Sequence, residues 1–216
     1  MKFYRIEDST NLKEVGIVPQ RGEMSDGLHM DDPRHLFNQP DIGALSEEVY
    51  VPSFRLRSKA KLTDVISFPI NSDWIVSERF KSTFEAEEID NVQFIPIYIF
   101  KKDEAHQYFL LRALKVCMEC IDFSNTTISI MKTTWEEEKR IQVKDLNEFQ
   151  ILVESTRLPQ GIKISAFKIS EKCNYDFIRL DYTYGVPTFF ISERLKEILL
   201  QNKITGIRYM ELDEVL

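Results

Sequence analysis

Trp74-Ile75-Val76-Ser77-Glu78-Arg79-Phe80-Lys81 and Phe189-Phe190-Ile191-Ser192-Glu193-Arg194-Leu195-Lys196 are two versions of one phrase, with Ser192 lying 115 positions after Ser77. The same offset relates Ile204 to Ile89 and carries Val92-Gln93-Phe94-Ile95 onto Ile207-Arg208-Tyr209-Met210. Over the 24 ungapped positions from Trp74 to Ile97, five residues are identical and nine more exchange one apolar residue for another. Each copy reads as strand, helix, strand. A short apolar run stops at Ser77 or Ser192, whose hydroxyl can accept from an unpaired N–H of the next turn, so both are expected helix N-caps. Glu78 and Glu193 then complement the positive helix end. Phe80 and Phe84 in one copy, and Leu195, Ile198 and Leu199 in the other, fall at the three- and four-residue spacings of a buried helix face. Gly206 can take a positive φ where the second helix leads into its strand. The repeated Ser-Glu-Arg invites a catalytic reading, but neither copy has the Gly-x-Ser-x-Gly turn that lifts a nucleophilic Ser into reach. No residue is assigned to catalysis.

Working outward, Phe3 to Ile6, Phe54 to Arg57, Ile95 to Phe100, Gln107 to Leu111, Thr126 to Met131, Phe149 to Val153 and Ile162 to Ile169 read as strands. Lys101 to Glu104 suits a hairpin turn and Leu158 to Gly161 a second turn. Leu62, Val65 and Ile66 read as a short helix or turn before Pro69, and residues 16–40 as a long loop interrupted by short structure. Strands outnumber helices. The expected class is α+β, a mostly antiparallel or mixed sheet with a few packed helices and two pseudo-repeated strand-helix-strand units. With 216 residues, 43% of them hydrophobic, one globular domain spanning 1–216 can bury a sizeable core; two subdomains of about 1–100 and 101–216, each carrying one copy, are the other organisation the repeat allows.

The sequence holds no apolar run of about 18 residues, so no membrane span is expected. Met1 to Ile6, interrupted by Arg5, does not follow the signal-peptide pattern, and a cytoplasmic protein is expected. Cys117, Cys120 and Cys173 with three scattered His make no zinc set, and ordinary reduced thiols are expected, with no metal and no cofactor. A net charge of −7 makes nucleic acid an unlikely partner, although Arg55, Arg57, Lys59 and Lys61 would form one basic stripe in a strand. A charge-protected edge strand explains that stripe as well. Trp135 followed by Glu136, Glu137 and Glu138 is the candidate partner-binding surface, since an acidic rim beside an aromatic anchor suits a basic protein.

Val76-Ser77-Glu78-Arg79-Phe80, the Val92-Gln93-Phe94-Ile95-Pro96-Ile97 segment, Tyr108 to Leu111, Cys120-Ile121-Asp122-Phe123-Ser124, and the closing Thr205-Gly206-Ile207-Arg208-Tyr209, taken in that order, resemble a family of bacterial immunity proteins from polymorphic toxin systems, the one numbered eleven. The resemblance covers about residues 60 to 212. It implies a small acidic cytoplasmic protein, not an enzyme, that binds a cognate toxin domain and neutralises it by protein–protein contact. Two other classes stay open on the residues alone: a metal-dependent hydrolase or nuclease built from the plentiful Asp, Glu and Lys, and a nucleic-acid-binding module using the Arg55 to Lys61 stripe. Oligomeric state is not readable from the sequence.

Overall fold

Two ten-residue strands organise the larger part of the chain, the second of them buried throughout its last six residues. Val92–Lys101 and Glu104–Ala113 pair antiparallel from Val92 opposite Ala113 to Lys101 opposite Glu104. They are joined by Lys102 and Asp103, where the sequence predicts a hairpin turn. The structure is a computed structural model and describes residues 1–25, 27–67, 73–183 and 187–212. Among those residues the strands are β1 (Phe3–Asp8), β2 (Arg21–Ser25), β3 (Ser53–Leu56), β4 (Val65–Ser67), β5 (Trp74–Val76), β6 (Val92–Lys101), β7 (Glu104–Ala113), β8 (Thr127–Met131), β9 (Glu137–Ile141), β10 (Gly161–Ala166), β11 (Phe177–Leu180), β12 (Thr188–Ser192) and β13 (Ile207–Glu211). The helices are α1 (Leu12–Val15), α2 (Glu78–Ala86), α3 (Leu146–Ser155) and α4 (Glu193–Gln201). The class is α+β. The chain divides into two compact units, a hairpin unit of residues 6–115 and 194–209, and a disulfide unit of residues 1–5, 116–193 and the chain from 210.

In the hairpin unit six strands run in the order β2-β3-β6-β7-β5-β4, with β3 parallel to β6 and the other pairs antiparallel. Because side chains alternate across a sheet, Ile66, Ile75 and Leu110 line up through the β4–β5 and β5–β7 registers on one face. There they join Ile97, Ile99, Tyr108, Phe54 and Leu36 in a buried cluster. The face carrying Phe109 belongs to α2, whose Lys81 ammonium sits 4.9 Å above the Phe109 ring. Phe80 and Phe84 of α2 stack at 4.4 Å, and Phe84 meets Phe94 edge-on at 6.1 Å. Helices α2 and α4 end alike. Glu88 and Lys203 take φ of +54° and +53°, and the N–H of Ile89 or Ile204 then reaches back to the carbonyl of Phe84 or Leu199 at 3.0 Å, a left-handed stop that satisfies a last-turn carbonyl.

In the disulfide unit one sheet has the order β10-β8-β9. The other has the order β11-β12-β1-β13, of which β1 and β13 run on into residues of the hairpin unit. Phe3, Ile128, Phe149, Ile164, Ile178 and Phe190 share its core. Three local expectations do not hold. Residues 149–153 are helix and not strand: Asp145 caps α3 by accepting from Glu148 N at 2.9 Å, and Glu148 accepts in return from Lys144 N at 2.7 Å, which is the logic of a capping box. Val65 and Ile66 are strand, in the hairpin unit, because pairing with β5 recruits them; Pro69 lies outside the described residues. The thiols are not all reduced: Cys120 and Cys173 form a disulfide, their Cα atoms 4.9 Å apart across 53 residues of sequence, and Cys117 is a buried thiol.

Candidate partner-binding surface

Trp135 stands at the tip of the β8–β9 hairpin, 92% exposed. The tip is closed by Lys132 N donating to Glu136 O at 2.8 Å. Around the indole each carboxylate is tethered. Glu136 pairs with Lys132 at 3.2 Å. Glu137 accepts from Ser129 Oγ at 2.6 Å and from Arg140 Nε at 2.8 Å, and the Ser129 hydroxyl first, then Arg140, hold its carboxyl below the usual range. Glu138 accepts from Gln160 Nε2 at 2.8 Å. The last contact ties β9 to the turn before β10, and Gly161 lies opposite Met131, so both connections emerge at one end of the three-stranded sheet. Leu158, in that second turn, is 94% exposed. The sequence predicts the turn but assigns its Leu no role. The available signal was a large apolar side chain inside a polar turn.

The two repeated serines stand at the same kind of junction, between a strand and the helix that follows it, and the hydroxyl of each donates to an aspartate. Ser77 Oγ accepts from Phe80 N at 3.2 Å as the N-cap of α2 and donates to Asp64 Oδ1 at 2.7 Å. Ser192 ends β12 and its hydroxyl donates to Asp176. Asp64, with a side chain only 7% exposed, is a hub that the sequence does not announce. It accepts from Arg79 Nε at 3.1 Å and from the same guanidinium's Nη2, and from both N and Oγ1 of Thr205 at 2.8 and 2.7 Å. Burial pushes its carboxyl up, but the donors of Arg79, Ser77 and Thr205 outweigh this and hold it below the ordinary value. Burial, and then the Asp64 charge, push the Tyr108 phenol up to about 12.

The basic stripe does not form. Only Arg55 lies within β3; its guanidinium reaches the carbonyl of Lys102 and lies 5.9 Å from the Phe100 ring centroid, whereas Lys61 Nζ donates to Lys13 O at 2.7 Å. Among the described residues no three His, Cys, Asp or Glu side chains gather as a metal site, and no helix is long and apolar enough to cross a membrane.

A model of the immunity protein family Imm11 matches residues 3–214. The chain belongs to the Imm11 immunity protein family. No curated protein matches it. The match extends over the first sixty residues, where no resemblance is legible by eye. In this Imm11 chain several of the segments that carry the resemblance make structural contacts, long-range at Gln93, Thr205 and Gly206 and local at Asp122. The Gln93 amide clasps Leu45 as a neighbouring strand would, accepting from Leu45 N at 2.8 Å and donating to Leu45 O at 3.0 Å. Asp122 accepts from Ser124 Oγ at 2.6 Å and Asn125 Nδ2 at 2.8 Å, which hold its carboxyl below the usual range. Thr205 fills the Asp64 hub. Gly206, at φ +88°, passes so close to Val65 that a Cβ would collide with the Val65 carbonyl oxygen. The Gln93, Thr205 and Gly206 contacts hold the scaffold together.

Proposed function

We propose that this Imm11 protein neutralises a cognate bacterial toxin of a polymorphic toxin system by binding the toxin domain directly, without chemistry of its own, and that Trp135 with Glu136, Glu137 and Glu138 is part of the contact. The observation that carries the reading is the family match over residues 3–214. The surface supports it: a Trp and a Leu, each more than nine-tenths exposed, project from one end of a sheet whose rim is ionic. Aromatic anchors of this kind dominate interface energies, and a charged rim sets encounter rate and register. No observation favours the hydrolase or nucleic-acid readings.

The test is growth of a host expressing the toxin domain encoded beside this chain, with and without the chain, followed by affinity measurement on the purified pair. Rescue with a stoichiometric complex is expected, and toxicity unchanged by the chain overturns the reading. Trp135→Ala should weaken the complex about 30-fold, the scale of an interface hot spot, with an unchanged melting temperature. Wild-type affinity in that variant removes Trp135 from the interface.

A further inference from the structure

Helix α3 is apolar at Leu146, Phe149, Ile151, Leu152 and Val153, yet only Phe149 among them is fully buried and Ile151 is 58% exposed. Alongside it, within the disulfide unit, lies a groove of about 530 Å³. Leu146, Phe149 and Val153, one face of α3 at helical spacing, give it an apolar floor together with Met118. Its rim carries three carboxylates, Glu119, Glu154 and Asp181, and among the described residues no Lys or Arg lines it. The buried Arg179 donates Nε to Asp181 Oδ1 at 3.2 Å, which orients that carboxylate and offsets part of its charge, leaving its remaining lone pairs to accept from a cation.

Tyr182 completes the wall. It holds φ at +63°, a backbone region that bulky residues rarely adopt and that persists where the surroundings over-determine it. Its ring packs edge-on to Phe149 at 5.4 Å. An aromatic wall, an apolar floor and an acidic rim are complementary to one kind of side chain, a long aliphatic stem with a cationic head, which attracts the ring face and the carboxylates together.

We propose that this groove receives a segment of the toxin domain carrying a Lys or Arg flanked by apolar side chains, the cation lying between Tyr182 and the carboxylates of Glu154 and Asp181 and its neighbours packing on Met118, Leu146 and Val153. The proposal rests on the immunity reading and adds a second contact site to the hairpin tip. The chain's net charge of −7 would steer the same basic segment toward it.

The experiment measures binding of an inactive form of the toxin domain encoded beside this chain to the full-length protein, with Gln150→Lys and Glu154→Lys combined. Both side chains are exposed on α3, and the melting temperature is expected to hold. Reversing charge at the rim should weaken binding about 100-fold, as like charges brought together across an interface do, and should flatten its salt dependence. Glu154→Gln, which keeps the shape, should retain part of the loss. An opposite charge placed on the toxin at the lysine or arginine that contacts the groove should restore affinity to the double variant. Unchanged affinity in the double variant, with a wild-type complex that forms and protects cells, overturns the groove while leaving the immunity reading standing. A wild-type chain that neither binds nor protects overturns both.

Discussion

Asp64 shows how one carboxylate can join segments far apart in sequence. It receives the Ser77 cap of α2, the Arg79 guanidinium and both donors of Thr205, and Thr205 Oγ1 in turn accepts from Asp64 N at 3.1 Å. Removing a buried acceptor strands its donors, so Asp64→Asn should cost about 2–3 kcal/mol at neutral pH by chemical denaturation. The carboxyl sits below its ordinary value when folded. Its contribution is therefore full above the unfolded pKa of about 3.9 and is lost as the pH falls through the lower folded value. Asp64→Asn should flatten the acid limb of a stability-against-pH curve below about pH 4, and an acid limb identical to wild type would take Asp64 out of that linkage. Ser77→Ala removes the cap and one of these donors and should cost about 1 kcal/mol; no loss of stability would mean that backbone and solvent replace both contacts. Ser77 was legible as a cap because the residue type and its position before a periodic run suffice. The Asp64 hub was not, since its partners Thr205 and Arg79 are brought to it by the fold.

At the scale of elements, the helix stops carry a prediction of their own. Lys203 and Glu88 occupy the left-handed region, where a Cβ costs about 1 kcal/mol and glycine is at home. Lys203→Gly, which keeps the carbonyl that accepts from Arg79 Nη2 at 3.2 Å, should raise the melting temperature by about 2–4 °C. A fall would show that the lysine side chain contributes more than its backbone strain removes. Gly206 does take the positive φ that its residue type suggests, but Lys203 makes the stop itself, and nothing in a lysine's identity marks it for that role. Residues 149–153 show a different ambiguity. Phe149, Ile151 and Val153 also alternate, and over five residues a strand pattern and a half-covered helix are not separable by periodicity; the Asp145–Glu148 pair was the signal that decides between them.

For the molecule as a whole, the chain leaves the disulfide unit at Arg5, returns to it at Val116, leaves again after Glu193 and comes back at Met210. The segment β12–α4–β13 is thereby divided, with β12 in one unit and nearly all of α4 in the other, whereas β5, α2 and β6 lie wholly in the hairpin unit. A boundary near residue 100 would cut the β6–β7 hairpin. The Cys120–Cys173 bond closes a loop of 53 residues by sequence separation, and loop-closure entropy of that length is worth about 4 kcal/mol. Reductant should lower the melting temperature of wild type to that of Cys173→Ser and leave Cys173→Ser unmoved. Equal melting of oxidised and reduced wild type would mean the bond contributes no stability. Sequence alone determined the α+β class, the Ser77 cap and the long hairpin, because local periodicity, caps and turn chemistry act within a few residues of one another; the immunity family showed itself as a resemblance of ordered segments such as Val92 to Ile97 and Thr205 to Tyr209. Tertiary structure alone decided the pairing of Cys120 with Cys173 over Cys117, the Asp64 hub, the division of β12, α4 and β13 between the two units and the acidic groove beside α3. Each of these depends on which distant surfaces meet, and that is set by the global burial of apolar area, which no short window of sequence contains.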